Sequence, residues 1–146
     1  VQTCALPISQ PIIASHSSSR TLCDHDRNLT DEQLRALAKN GGVAQLCLLD
    51  TYINKTPKAA SVCDAVEHLD HMIKVAGIDH VGIGTDFDGG GGLQGCKGDN
   101  DLINLTIKMI EKGYTEEDLR KIWGGNLLRV MKQVQEAPLF SLKKRR

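Results

Sequence analysis

Two aspartates directly follow a predicted strand near the middle of the chain. Residues 80–85 alternate Val and Ile with small residues, which is typical of a short buried strand. The strand ends in Asp86-Phe87-Asp88, and four glycines follow. A strand that delivers carboxylates into a glycine-rich loop often builds a ligand site, because burying an unpaired carboxylate is costly. The alternative is a β-turn in which Asp88 bonds its own backbone and Asp86 forms a salt bridge.

Two earlier apolar runs are followed by polar side chains in the same way. Residues 11–16 form a short run that ends in His16, and Tyr52 follows the nearly continuous apolar run 43–49. At the carboxyl end of a strand both side chains could contact a ligand. The alternatives are a structural histidine and a tyrosine that covers the rim of the sheet. In the loop between these runs, Arg27 could pair bidentately with a carboxylate or form only a surface salt bridge.

Two other clusters have the composition of a metal site but not the pattern. Loop 20–28 carries Cys, Asp and His residues at a spacing that fits no standard zinc or calcium site, so we predict a solvated loop. His68 and His71 lie three residues apart in a predicted helix over 59–76. At about 100° per residue they fall opposite the apolar stripe of that helix. We therefore predict that both histidines lie on its solvated face and bind no metal.

Helix signals separate the three predicted strands. Thr30 and Gln33 form a capping box that predicts a helix start. A helix over 59–76 is closed by Gly77, and another ends at Lys112-Gly113. Near the carboxyl end, Thr115 is predicted to be the N-cap of one helix and Asn126 to cap the last helix.

The order strand, helix, strand, helix, strand, then helices favours βαβ crossovers and a parallel sheet. Three parallel strands alone would leave two long edges bare. We therefore predict an α/β fold that is part of a TIM-like (β/α)₈ barrel, namely its last three βα units plus carboxyl-terminal helices. A complete barrel typically needs about 250 residues, and this chain has 146.

The charge balance, the apolar runs and the cysteines of the chain limit the kinds of partner and environment that we expect. Lys plus Arg and Asp plus Glu each number 18, so no net charge draws in nucleic acid or an anionic membrane. No apolar run approaches the ~20 residues of a membrane span. Five cysteines without a CxxC pair argue against a disulfide framework and predict free thiols. The chain begins with Val1, so we expect a piece of a longer protein, and the basic run 143–146 is predicted to be a solvated tail.

Several short motifs occur in an order that is known from one enzyme family. They are Ser15-His16-Ser17-Ser18, Arg27-Asn28-Leu29, His68-Leu69-Asp70-His71, Asp86-Phe87-Asp88-Gly89 and Asn126-Leu127-Leu128-Arg129-Val130. Together they resemble the membrane (renal-type) dipeptidases over about residues 10–135. We expect a non-matching leader over 1–9 and a basic tail over 136–146 outside this domain.

The resemblance implies a TIM-like barrel that holds two zinc ions bridged by a glutamate and hydrolyses dipeptides. It implies that His16 is a ligand of one zinc ion and that Arg27 holds the terminal carboxylate of the substrate. Asp86 is implied to act in proton transfer beside the metal-bound water, and Tyr52 to lie near the substrate. The two histidines of the third motif are not metal ligands in this family.

This chemistry is coherent, but the ligand set is incomplete. Zinc lowers the pKa of bound water to about 7, and a neighbouring carboxylate can pass the proton to the leaving amine. A catalytic zinc site needs about three protein ligands, so His16 cannot hold two metals by itself. The His-x-Asp motif, the bridging glutamate and the other zinc-binding histidine of the family belong to earlier strands. We therefore expect little or no activity from this chain alone.

Two other functions stay open on sequence grounds. The chain could be a stand-alone α/β module that acts without catalysis through its sheet edges. It could also belong to a different metal-dependent barrel hydrolase with similar strand ends. The expected partner is a dipeptide substrate, and a homodimer is also possible. We expect neither binding to nucleic acid nor a membrane span.

Overall fold

The three strands form one parallel sheet. The computed structural model describes residues 10–56 and 58–136. The strands are β1 (Ile13–Ala14), β2 (Val43–Cys47) and β3 (Val81–Thr85), in the spatial order β1-β2-β3. Both pairings are parallel, with Ile13 opposite Val43 and Ala44 opposite Val81. The predicted α/β class and the parallel sheet are therefore confirmed. The leader 1–9 and the last residues, 137–146, lie outside the described residues.

Helices connect and follow the strands. They are α1 (Asp31–Lys39), α2 (Asp50–Ile53), α3 (Val62–Ala76), α4 (Leu102–Glu111), α5 (Glu116–Arg120) and α6 (Asn126–Gln135). Short 3₁₀ turns lie at Ile78–His80, Phe87–Gly89 and Asp99–Asp101, and a wide turn at Lys121–Gly125 joins α5 to α6. None of the helices in the described ranges is long and apolar enough to cross a membrane.

Three helices begin with a complete capping box. The predicted box of α1 is present, since the Thr30 side chain accepts from the Gln33 amide and the Gln33 side chain accepts from the Thr30 amide. Thr115 caps α5 as predicted. The start of α3 differs from the predicted residue 59, because Ser61 provides the cap and the helix begins at Val62.

The centre of the sheet is fully covered. All five residues of β2 are buried, as expected for a strand with packing on both faces. The long helix α3 lies against the sheet, α1 and α4. By contrast, β1 is an edge strand and is shorter than the predicted run 11–16. Pro11 has no N–H and the Ile12 amide donates to the Asn40 side chain, so regular pairing begins only at Ile13.

The predicted solvated position of His68 is wrong. Its side chain is 1% exposed and lies in the core between Ala65 and Met72. The loop after β1 and the end of α2 cover this flank of α3, so the buried arc of the helix is wider than its apolar stripe. His71 is only partly buried, and its Nε2 lies 2.7 Å from Asp31 Oδ1 on α1.

The predicted capping role of Asn126 is also wrong. The wide turn already has helical backbone angles at Gly125, so α6 continues from it without a free start for a side-chain cap. Instead, the buried amide of Asn126 donates to the carbonyls of Ile78 and Val81 at 2.7 and 2.8 Å. It thereby attaches the last helix to the entrance of β3.

Candidate functional site

The parallel sheet brings the predicted site segments to one edge. His16 follows β1, Tyr52 lies in α2 directly after β2, and Asp86 is the first residue after β3. Because carboxyl ends of parallel strands share an edge, these residues belong to the same end of the sheet. The loop that carries Arg27 leaves from the same end of β1.

His16 and Arg27 are in direct contact. Nη2 of Arg27 lies 2.9 Å from Nε2 of His16, and Nδ1 of His16 lies 2.8 Å from Ser15 Oγ. A guanidinium can only donate, so Nε2 accepts and the proton of a neutral ring is placed on Nδ1, where it can be donated to Ser15. The predicted metal ligand and the predicted carboxylate anchor therefore form one unit.

Asp86 occupies a tight, left-handed turn. Its backbone angles are φ 73° and ψ 34°, and Thr85 before it also has a positive φ of 42°. The Asp86 carbonyl accepts from the amides of Gly89 and Gly91 at 3.1 and 2.8 Å. Such conformations cost free energy in non-glycine residues and persist where the surroundings hold them, which is common at functional sites.

The glycine run after Asp86 is explained by close packing. A Cβ added at Gly89 would lie 2.4 Å from Asp86 Oδ1, and one at Gly91 would lie 2.6 Å from the Asp86 carbonyl oxygen. Side chains at these positions would push the carboxylate or its backbone out of place. The glycines therefore let the turn fold back onto Asp86.

Cys47 lies beside the Asp86 carboxylate and was not singled out from the sequence. Its Sγ is 3.7 Å from Asp86 Oδ2. Burial raises the pKa of this thiol to about 11, so it is a neutral, weak donor next to the carboxylate at neutral pH. In the sequence Cys47 is one of several apolar residues of the run 43–49, and no pattern marks it as a neighbour of Asp86.

Tyr52 is tied to the Arg27 loop through Asn28. The buried Asn28 amide donates to the carbonyls of Tyr52 and Cys23 at 2.7 and 2.8 Å and accepts from the Ser18 amide at 3.0 Å. The Tyr52 ring packs on the His25 ring with 4.3 Å between centroids. Tyr52 is thus held against the same loop as Arg27.

The prediction of a solvated loop over 20–28 is correct only in part. On its outer side Arg20 forms ion pairs with Asp24 and Asp26 at 2.9 and 2.8 Å. Its inner side is buried, because Cys23 and Asn28 are in the protein interior. The loop is therefore a covered, hydrogen-bonded segment with a charged outer rim.

The described residues do not make a complete metal site. Among residues 10–56 and 58–136 no group of three or more His, Cys, Asp or Glu side chains is placed to hold a metal ion. His16 Nε2 has the chemistry of one ligand, but a catalytic zinc site needs about three from the protein. A second difficulty is that the Nε2 lone pair already accepts from Arg27. Any metal at this edge would therefore need further ligands and a shifted guanidinium.

The cysteines are free thiols where the structure describes them. Cys23, Cys47 and Cys96 are buried and Cys63 is exposed, and none of these four forms a disulfide. This agrees with the prediction from their number and spacing. Cys4 lies outside the described residues.

Curated relatives of this chain are dipeptidases by name. The chain is 42% identical over 139 residues to an uncharacterized dipeptidase of Schizosaccharomyces pombe, which covers 92% of this chain and 33% of the relative. It is 41% identical over 137 residues to the dipeptidase ataJ of Aspergillus terreus, with 90% and 33% covered. The chain thus spans about a third of the length of these curated relatives.

Solved structures show the same fold. The probable dipeptidase PvdM of Pseudomonas aeruginosa superimposes with a TM-score of 0.84 at 28% identity, covering 87% of this chain and 46% of PvdM. A metallo peptidase of Rhodobacter sphaeroides, solved with a phosphinate mimic of the dipeptide L-Ala-D-Ala, gives a TM-score of 0.81 at 31% identity. That match covers 85% of this chain and 36% of the peptidase.

The family model for membrane dipeptidases matches residues 4–143, which extends on both sides of the expected range 10–135. The domain limits at 9/10 and 135/136 stay predictions. The match covers nearly the whole chain and agrees with the motifs, the parallel sheet and the superimposed structures. This chain belongs to the membrane dipeptidase family, peptidase family M19.

Proposed function

We propose that this chain is the carboxyl-terminal part of a zinc-dependent dipeptidase. It would supply the last three βα units and the final helices of a (β/α)₈ barrel. The observation that carries the proposal is the arrangement of His16, Arg27 and Asp86 after parallel strands at one edge of the sheet. Two further observations support it. The relatives are named dipeptidases, and this chain spans about a third of their length.

Each of these side chains has a role that its surroundings favour. The Arg27 guanidinium is exposed and lies close to His16, so it could turn to bind the terminal carboxylate of a dipeptide. Fixing that end of a short peptide would favour dipeptides over longer chains. Tyr52 would border the same pocket, because it is anchored to the loop that carries Arg27.

Asp86 would move the proton of the reaction. It is held in a strained turn at the end of β3, with the polarizable thiol of Cys47 on one side. A carboxylate held in this way could accept a proton from the attacking water and return it to the amine that leaves. The glycine turn that packs against the Asp86 carboxylate, together with Cys47, would keep it from rotating away between these two transfers.

Zinc enters this proposal with His16 as one ligand. When bound, zinc activates water and polarises the peptide carbonyl. The remaining ligands would come from parts of the protein before this chain, which agrees with the absence of a three-ligand group among the described residues. The same argument predicts that the chain by itself has little or no dipeptidase activity.

The test compares this chain with the longer protein that includes the upstream coding sequence. We expect the longer protein to bind zinc and hydrolyse dipeptides, and its His16→Ala variant to lose most of both properties. Zinc is measured by elemental analysis after gel filtration, and hydrolysis by the release of free amino acids. A longer protein that binds no zinc, or that cleaves esters and other amides but no dipeptide, would contradict the proposal. Dipeptide hydrolysis by residues 1–146 alone would contradict the claim of inactivity.

A further inference from the structure

A buried histidine connects the loop that carries Arg27 to the segment that carries Tyr52. His68 lies on α3, and both of its ring nitrogens form hydrogen bonds to the backbone of other segments. The amide of Ser19 donates to Nδ1 at 3.0 Å, and Nε2 lies 3.0 Å from the carbonyl oxygen of Ile53. The ring is 1% exposed, so water does not compete for either bond.

These partners permit only one form of the ring. The Ser19 amide can only donate, and the Ile53 carbonyl can only accept. The neutral ring with its proton on Nε2 satisfies both groups, whereas the other tautomer and the charged ring each lose the bond to Ser19. Burial also lowers the pKa of His68, which favours the neutral form.

The Ser19 bond acts on the base of the loop that carries Arg27. The Arg20 amide donates to the Leu29 carbonyl at 2.8 Å, and the Leu29 amide donates to the Ser18 carbonyl at 2.9 Å. These bonds on either side of Ser19 close the loop over residues 20–28. A shift of Ser19 would therefore move both ends of the loop and the guanidinium with it.

The Ile53 bond acts on the segment that carries Tyr52. Ile53 is the last residue of the short helix α2, and it is buried next to α3. α2 begins without a side-chain cap, so its position depends on contacts with the surroundings. The bond to His68 and the bond from Asn28 to the Tyr52 carbonyl hold the end of this helix from two sides.

We propose that His68 is a positioning residue for substrate binding, because its ring fixes the distance between the Arg27 loop and the Tyr52 segment. The proposal rests on the proposed function, since Arg27 and Tyr52 are the residues expected to contact a dipeptide. His68 itself would contact neither the substrate nor a metal, because both of its ring nitrogens bond the backbone. A histidine that only fills the core would need its volume and not its two directed hydrogen bonds.

Two substitutions separate the two bonds. In His68→Gln the amide nitrogen lies near the position of Nε2 and can keep the bond to Ile53, but the bond from Ser19 is lost. In His68→Asn the amide oxygen lies near Nδ1 and can keep the Ser19 bond, but Ile53 loses its donor. His80→Gln is the matched control, because Nδ1 of His80 lies 2.8 Å from the carbonyl oxygen of Gly42, before β2 and β3 and therefore at the opposite end of the sheet.

The kinetic test uses the longer, zinc-loaded protein. We expect each His68 variant to raise KM for a dipeptide about tenfold, the effect of one lost buried hydrogen bond, with kcat within about twofold. His80→Gln should leave both constants unchanged. The His68→Gln effect should disappear in the Arg27→Ala background, because the two residues act through the same contact. KM and kcat that stay at wild-type values in both His68 variants would overturn the proposal.

A second measurement needs no substitution. In the wild-type protein the Ser19 amide should exchange with solvent deuterium much more slowly than the amides of Thr21 and Leu22 in the exposed part of the loop. Fast exchange at Ser19 would overturn the proposal even if the His68 variants do not fold. Failure of the proposed function can be distinguished from failure of the role of His68. A longer wild-type protein without dipeptidase activity contradicts the proposed function. An active protein whose His68 variants have unchanged kinetics contradicts only the role of His68.

Discussion

Nη2 of Arg27 lies 2.9 Å from Nε2 of His16, so two residues that the family resemblance assigns to different tasks share one hydrogen bond. The contact places a positive charge at the carboxyl edge of the sheet. It also occupies the single lone pair of Nε2, which a metal ion would require. Arg27 and a metal therefore cannot use this atom at the same time.

Arg27→Lys should weaken substrate binding more than catalysis. A lysine ammonium keeps the charge but cannot form the paired hydrogen bonds of a guanidinium with a carboxylate. We expect KM of the longer protein for a dipeptide to rise about 10- to 100-fold, with a much smaller change in kcat. Steady-state kinetics measure both constants. Arg20→Lys is the control, because Arg20 pairs with Asp24 and Asp26 on the outer rim of the same loop.

Asp86→Asn should act on kcat. The amide has nearly the shape of the carboxylate but cannot accept and return a proton, so the rate should fall by about 10²- to 10⁴-fold. The comparison is Asp88→Asn, two residues later and exposed to solvent. Equal losses in both variants would show that the turn, and not the Asp86 carboxylate, is what the reaction needs. Single-turnover kinetics distinguish loss of chemistry from slow product release.

Gly84→Ala should destabilise the fold, although it adds only one methyl group. The new Cβ would lie 2.0 Å from the carbonyl oxygen of Ser15, and backbone cannot yield as a flexible side chain can. We expect a loss of about 3 kcal/mol or more in the free energy of unfolding, measured by urea denaturation of the longer protein. Gly98→Ala should change it by less than about 1 kcal/mol, because a Cβ there has open space around it and the backbone is extended.

The buried ring of His68 should make stability depend on pH. Its pKa is lowered in the folded protein, so the unfolded chain binds an extra proton once the pH falls below its ordinary value of about 6.5. The contribution of His68 is therefore complete above about pH 6.5 and is lost as the pH falls below it. Urea midpoints measured from about pH 7.5 to pH 5 should decrease, and the decrease should be smaller in His68→Gln. Identical slopes in both proteins would contradict this account.

Local patterns were sufficient to predict most of the elements. A capping box such as Thr30 with Gln33 involves neighbours along the chain, so the start of α1 could be read directly. The apolar run at β2 and the alternation of strands and helices predicted the parallel sheet. That topology in turn put His16 and Asp86 at the same edge.

The contacts within the site depend on tertiary packing. The flank of α3 at His68 is buried because Ser19, 49 residues away, and Ile53, 15 residues away, lie over it. Helical periodicity reports the face toward the core, but not which neighbours cover its sides.

Asn126 and Cys47 show the same dependence. The Asn126 amide bonds carbonyls 45 and 48 residues away, and the Cys47 thiol meets Asp86 only because β2 and β3 pair in this register. The sequence by itself therefore determined most of the elements and the edge of the sheet at which His16 and Asp86 lie. Tertiary structure decided which of those residues touch, because contacts between distant segments depend on the packing of whole elements and leave no periodic signal in the chain.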